Sequence, residues 1–179
     1  MSTEHDRAVL NQILNPLMPT TETSSNNSTQ FENDQIDHCG YEESVGIEKE
    51  AVILAESGKV PEAIEKFGEA ISKCPINPSA FNNRAQAYRL SGKIEEAISD
   101  LNEALKLSNP KSKTTCNAYV QRASIFRLKG DDDKAREDFQ KAADLGSSFA
   151  KMQLIALNPY AAMCNKMLAE VFEKVKTGQ

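Results

Sequence analysis

Residues 82–92 read NNRAQAYRLSG and residues 121–130 read QRASIFRLKG. Arg84-Ala85, Tyr88-Arg89-Leu90 and Gly92 of the first stretch return in the second as Arg122-Ala123, Phe126-Arg127-Leu128 and Gly130. A third, looser copy is anchored on Gly58. Alanine lies seven residues before each glycine (Ala51, Ala85, Ala123) and five after it (Ala63, Ala97, Ala135). A bulky apolar residue follows four further on (Phe67, Leu101, Phe139), then alanine again (Ala70, Ala104, Ala142). The first step between glycines is 34 residues and the second is 38, the extra four falling around residues 108–114.

This spacing encodes pairs of helices of about a dozen residues, each pair turning at a glycine that accepts positive φ. Small alanines let two helices approach, and large residues fill the space between one pair and the next. Ala85, Ala97, Ala104, Ala123, Ala135 and Ala142 are therefore expected to be buried. Helix starts are also marked. Pro61 suits the first turn of a helix, and Asp131, Asp132 and Asp133 place negative charge at a helix N-terminus.

The pattern resembles the tetratricopeptide repeat, whose signature is a 34-residue helix–turn–helix with alanine, aromatic and proline landmarks. Pro75 falls where that family closes a unit. Asn109-Pro110 is one position off in the second unit, and Ser147 replaces the proline in the third. The expected fold is all-α, a solenoid of three repeats over residues 44–147 with capping helices over residues 148–179. Phe149, Leu154, Ile155 and Leu157 suit one cap. After Asn158-Pro159, Tyr160, Met163, Cys164, Met167, Leu168, Val171 and Phe172 form an apolar stripe at helical spacing. The stripe is read as packed on the last helix pair, the alternative being an interface.

The N-terminal quarter differs in character. Residues 1–43 hold eight acids and one base, −7, whereas residues 44–179 hold 18 acids and 20 bases, +2. Val9, Leu10, Ile13 and Leu14 share one face of a short amphipathic helix within residues 1–16, stopped by Asn15-Pro16. Residues 17–43, rich in Ser, Thr and Asn, are expected to be a disordered linker, because they bury too little to offset ordering entropy. The reach of the 28-residue tether from Pro16 to Glu43, about 30 Å, would let the acidic tail enter the concave groove of its own repeat domain and compete with a partner.

Composition narrows the function. The net charge of −5 disfavours a non-specific nucleic-acid binder. No apolar run is long enough for a membrane span, and the start lacks the features of a signal peptide. Cys39, Cys74, Cys116 and Cys164 form no CxxC pair, which suggests reduced thiols in a cytoplasmic protein. His5 and His38, the two histidines, both fall in the tail. The cysteines read as packing residues and the Asp131–Asp132–Asp133 run as a helix cap, since it lacks the alternating ligands of a calcium loop. No phosphate-cradling glycine loop is present. The chain is therefore read as a non-enzyme, with no catalytic, cofactor-binding or metal-binding residues.

Binding is what the repeat resemblance implies. In that family, fixed positions of each unit's first helix face a concave groove. Here they hold Glu48, Val52 and Ala55 in the first unit and Asn82, Asn83, Gln86 and Arg89 in the second. The third supplies Asn117, Val120, Gln121, Ser124 and Arg127. Asn82, Asn83, Gln86, Arg89, Gln121, Ser124 and Arg127 form the candidate partner-binding set. Arg89 and Arg127 share one repeat position and suit an acidic or carboxylate-bearing peptide; the plainer alternative is pairing with nearby Glu or Asp. Arg84 and Arg122 face either the groove rim or the packing interface.

The segments DRAVLNQILNP, NNRAQAYRLSG, GDDDKAREDF and LNPYAAMCNKMLAE together resemble one small branch of the family. Its members are regarded as binding heat-shock protein 70 class chaperones, with suggested links to cilium assembly. The resemblance thus implies a co-chaperone adaptor, or alternatively a scaffold subunit joined to an assembly through the C-terminal stripe. Family members that clamp an acidic chaperone tail carry Lys, Asn and Arg where this chain has Glu48, Val52, Asn83, Asn117 and Gln121. Only Asn83 matches, so the standard carboxylate clamp is not expected here.

Overall fold

The computed structural model describes residues 31–34, 36, 40–158, 160, 167, 171, 172, 174 and 176. Among the described residues seven helices with assigned bounds follow one another: α1 (Tyr41–Glu56), α2 (Val60–Lys73), α3 (Pro78–Leu90), α4 (Ile94–Leu107), α5 (Lys113–Leu128), α6 (Asp132–Asp144) and α7 (Ser148–Ala156). The described residues contain no strand beyond an isolated bridge between Glu32 and Ser112. Helices α1/α2, α3/α4 and α5/α6 are the three repeat pairs, packed on one another in chain order, and α7 covers the last. The fold is an all-α repeat solenoid.

The glycines do what the spacing requires. Gly58, Gly92 and Gly130 have φ of 82°, 77° and 78°. Each ends its helix in the same double closure, with the residue after the glycine reaching back five positions. In the second repeat Lys93 N–H donates to Tyr88 C=O at 2.9 Å and Gly92 N–H to Arg89 C=O at 3.2 Å. A Cβ at Gly92 would meet nothing within 4 Å. Gly92→Ala should therefore cost about 1–2 kcal/mol from backbone strain alone, read as a lowered melting temperature with unchanged helicity.

The core is built from the repeated alanines. Ala51, Ala63, Ala70, Ala85, Ala97, Ala104, Ala123, Ala135 and Ala142 are all fully buried. Three apolar clusters follow one another along the stack. Phe67 fills the first, Leu101 and Ile125 the second, and Phe139 the third, where it meets Phe149 of α7 edge-on with ring centroids 6.2 Å apart.

Repeated polar staples accompany them. Arg84 on α3 grips Asp100 on α4 with Nε–Oδ2 2.7 Å and a second nitrogen 2.8 Å from Oδ1. Arg122 on α5 grips Asp138 on α6 with the same two distances, and donates to Asn102 Oδ1 at 2.6 Å. Arg84 also lies 5.6 Å from the ring centroids of Phe81 and Tyr88, and Arg122 5.6 Å from that of Tyr119. Of the two places open to Arg84 and Arg122, they take the packing interface. The hydrogen bond to its aspartate keeps each guanidinium's pKa above its ordinary value.

Helix starts are capped by side chains. Asn77 accepts from Ser79 N–H, Ser112 from Thr115 N–H, Asp131 from Lys134 N–H and Ser147 from Ala150 N–H. The cap at Ser112 explains the longer second period. Part of the insertion becomes an extra first turn, so α5 has 16 residues against 13 for α3.

Two boundaries differ from the expected ones. Helix α1 opens at Tyr41, inside the expected linker, because Gly40 C=O accepts from Ser44 N–H at 2.9 Å and Glu42 and Glu43 suit a helix N-terminus. Residues 31–34 are also seated, on the insertion between α4 and α5. Glu32 N–H donates to Lys111 C=O at 3.2 Å, Asp34 Oδ1 accepts from Asn109 N–H at 2.7 Å, and Glu32 accepts from Asn109 Nδ2 at 3.1 Å. The seat lies at the edge of the stack, on an inter-repeat loop. The N-terminal helix over residues 1–16, and with it the docking of the tail in its own groove, falls outside the described residues. Asp34→Ala should accelerate hydrogen exchange of the Asn109 amide and lower stability by no more than about 1 kcal/mol, measured by exchange mass spectrometry beside a thermal melt.

At the other end, Tyr160, Met167, Val171 and Phe172 are 72%, 58%, 57% and 68% exposed. These members of the apolar stripe are not packed on the repeats, contrary to the expectation of a fully covered cap. The α7 helix already covers α6 through Phe149 and Leu154. Met163, Cys164 and Leu168 lie outside the described residues.

Candidate functional site

Helices α1, α3 and α5 are the first helices of the three repeats. The N-cap at Ser147 opens α7, which packs on α6 after the third repeat. Polar side chains on these helices form one hydrogen-bonded chain from α1 through α3 to α5, and a separate link joins α5 to α7. Glu48 on α1 is 9% exposed and accepts from Ser79 Oγ at 2.5 Å, Asn83 Nδ2 at 2.7 Å and Asn77 Nδ2 at 3.2 Å. Asn82 Nδ2 donates to Asn83 Oδ1 at 3.4 Å, and Gln121 Nε2 on α5 donates to Asn82 Oδ1 at 3.2 Å. Gln121 Oε1 is buried without a partner among the described residues. Arg127 on α5 then donates to Gln153 on α7. Glu48, Asn82, Asn83, Gln121, Arg127 and Gln153 thus lace four helices together.

Beside this chain lies a half-open cavity of about 260 Å³ between α1 and α3. Val52, Ala55, Phe67, Ala87 and Leu90 give it an apolar wall, and Glu56, Asn83 and Gln86 a polar one. Four residues placed in the groove by the repeat register, Val52, Ala55, Asn83 and Gln86, therefore meet at one concavity. Gln86 is exposed, Arg89 is half-buried and Arg127 is exposed. Ser124 returns its hydroxyl to Val120 C=O at 2.8 Å. Asn117 is exposed and Val120 packs against the third cluster.

Among the described residues, neither Arg89 nor Arg127 pairs with a carboxylate. The arginines that do are Arg84, Arg122 and Arg136. The groove arginines thus keep most of their donors free for a ligand. Glu48 is not a free charge, since its partners come from α3 and its cap.

Two groove contributors are not evident from the three-unit register. Gln153 belongs to α7, beyond the third repeat; the capping Ser147 is the signal for that helix, although it stands at the register position of Pro75 rather than that of Asn77. Leu90, at the end of α3, supplies the exposed lip of the cavity.

Catalytic chemistry finds little to work with among the described residues. Cys74 and Cys116 are buried free thiols, and burial pushes the Cys116 thiol up. Cys116 should resist alkylation at pH 7.5 in the folded chain and react on unfolding, a contrast that timed iodoacetamide labelling would measure. No group of three metal-ligating side chains converges, and no helix is long and apolar enough to cross a membrane, again among the described residues. Asp131 caps α6 and is held below the usual carboxylate range by its hydrogen bond from Lys134.

Family models for the tetratricopeptide repeat match residues 77–148, and for the TPR repeat residues 52–90. Tetratricopeptide repeat protein 36 of Caenorhabditis elegans is 70% identical over 179 residues, covering 100% of this chain and 99% of its own. The chain belongs to the tetratricopeptide repeat protein 36 family. The Caenorhabditis briggsae member is 68% identical, with 99% of each chain covered, and the human member 40% identical, with 98% and 97% covered. Tetratricopeptide repeats are protein-interaction modules. Among solved structures, the first TPR of Spaghetti (RPAP3) bound to the HSP90 peptide SRMEEVD superposes with a TM-score of 0.61 at 24% identity, covering 68% of this chain and 95% of that one. The second TPR domain of human RPAP3 in complex with the HSP70 peptide SGPTIEEVD gives 0.57 at 24% identity, covering 66% and 97%. These likenesses are of fold.

Proposed function

We propose that this member of the tetratricopeptide repeat protein 36 family is a non-enzymatic adaptor of the cytoplasm. It holds an acidic peptide segment of a partner in the concave groove and acts as a co-chaperone of heat-shock protein 70 class chaperones. The observation that carries this reading is the pair Arg89 and Arg127, at one repeat position on adjacent first helices and without a carboxylate partner among the described residues. Guanidinium groups in that state offer forked donors to carboxylates. The hydrogen-bonded chain from Glu48 to Gln121 supports it by holding the groove in one shape before a ligand arrives, which lowers the ordering cost of binding. Asn82, Asn83, Gln86, Gln121 and Ser124 complete the proposed contact set. Because Glu48 stands where the family's chaperone clamps carry a lysine, the arginines rather than the standard clamp residues would meet the acid.

Fluorescence polarisation of labelled SGPTIEEVD with the full chain tests the reading. Saturable binding, lost in the Arg89→Glu/Arg127→Glu variant, is expected. Binding that ignores both charges would place the peptide elsewhere.

A second reading is a scaffold subunit of a larger assembly, including one serving cilia. The exposed Tyr160, Met167, Val171 and Phe172 favour it, since clustered exposed apolar groups mark interaction surfaces. Pull-downs with the groove arginines and this apolar set mutated separately discriminate the two: the partner is lost with one set or with the other.

A further inference from the structure

The groove changes sign along the stack. At the first repeat Glu48 is a buried carboxylate whose hydrogen-bond partners are all neutral, two asparagine amides and a serine hydroxyl. Among the described residues no lysine or arginine pairs with Glu48, and Glu56 on the cavity wall likewise has no ion pair. Two negative charges therefore stand at that end without a counter-ion in salt-bridge range. At the second and third repeats Arg89 and Arg127 are positive and equally without an ionic partner. The cavity of about 260 Å³ lies between the two ends, walled by Val52, Ala55, Phe67, Ala87 and Leu90.

Its size and lining suit one aliphatic side chain of a ligand, flanked by charge of opposite sign on its two sides. Buried neutral donors fix the Glu48 carboxylate in place but leave its charge, so a ligand carboxylate at that end would be repelled and a ligand cation attracted. From α1 to α5 is two helix spacings, about 20 Å at 8–10 Å each. An extended peptide covers that distance in about six residues at roughly 3.3 Å per residue.

Building on the groove reading above, we infer that the ligand is an internal, dipolar peptide segment held in one orientation. A basic side chain lies by Glu56, in the negative field to which Glu48 adds, an aliphatic side chain enters the cavity between α1 and α3, and acidic side chains reach Arg89 and Arg127. A free terminal carboxylate is not required, because the end of the groove that such a group would have to share carries negative charge. Charge order, rather than total charge, is what the groove selects.

The test uses end-blocked, fluorescein-labelled hexapeptides with the full chain. KGLGEE and its reverse EEGLGK carry the inferred order in the two chain directions; EGLKGE and EGKLGE have the same composition and net charge but an acid at both ends. One of the first pair should bind at least about tenfold more tightly than both of the second. In the Glu56→Lys/Arg127→Glu protein, with helicity checked by circular dichroism, that preference should shrink. Equal binding of all four, or preference for the peptides with an acid at both ends, overturns the inference. Binding of labelled SGPTIEEVD that is sensitive to Arg89 and Arg127, together with no binding of any hexapeptide, also overturns it but leaves the groove reading intact. Loss of both probes refutes both.

Discussion

Asp138→Ala lowers the stability of the chain by about 3 kcal/mol, and Asp100→Ala by a similar amount. The Asp138 side chain is 4% exposed and holds two nitrogens of Arg122, itself 19% exposed. Alanine removes both acceptors and leaves a guanidinium among Tyr119, Asn102 and the backbone of two helices, with water reaching only part of it. The cost is mainly that of the stranded charge, so it exceeds what the pair contributes on its own. Replacing both members by apolar residues of similar size, Arg122→Met with Asp138→Leu, should recover most of the loss. Chemical denaturation of the three variants measures this. A loss under about 1 kcal/mol in Asp138→Ala would mean that the arginine finds water or another acceptor and that the staples are incidental.

Arg89→Glu with Arg127→Glu weakens binding of an acidic peptide by at least about a hundredfold. Each charge-assisted contact contributes roughly 1.5–3 kcal/mol, and reversal adds repulsion. The two arginines differ in what else they do. Among the described residues the Arg89 side chain has no hydrogen-bond partner, so Arg89→Glu alone leaves stability nearly unchanged. Arg127 donates to Gln153, which is 3% exposed. Arg127→Glu therefore loosens α7 as well as the groove, and the melting temperature drops by a few degrees. Calorimetric titration beside a thermal melt separates these effects. Full affinity in the folded double variant would remove the arginines from the site.

Much of the fold is legible in the sequence because each landmark has one steric task. Alanine at a helix crossing and glycine at positive φ admit few substitutes, so their spacing carries the architecture with it. Side chains that act through partners are harder to read. Arg84 and Arg122 are polar residues on helices that also line the groove, and position alone leaves rim and interface open. Their partners are nevertheless in the sequence, since Asp100 and Asp138 each follow the repeat glycine by eight residues. The first repeat inverts the charges, with Glu50 and Lys66 in the corresponding places, which hides the rule. Lys66 there turns to Glu69 at 2.7 Å.

The groove was legible as a set of positions but not as a network. Glu48 reads as a free charge until Asn77, Ser79 and Asn83, 29 to 35 residues away, are brought to it. Helix α7 runs out into Leu157-Asn158-Pro159 and not into a repeat glycine, so Gln153 escapes a three-unit register. The apolar stripe after Pro159 illustrates a different gap. Periodicity shows which residues share a face, but not what covers it, and four of those residues are exposed.

Central to all of this is that the concave face formed by α1, α3 and α5 is the binding surface. Amide chemical-shift mapping of the isotope-labelled full chain with unlabelled SGPTIEEVD tests it most directly. The predicted shifts concentrate on Asn82, Asn83, Gln86, Arg89, Gln121, Ser124 and Arg127, with α2, α4 and α6 changing little. Shifts confined to α2, α4 and α6, or to α7 and the residues beyond it, would contradict it.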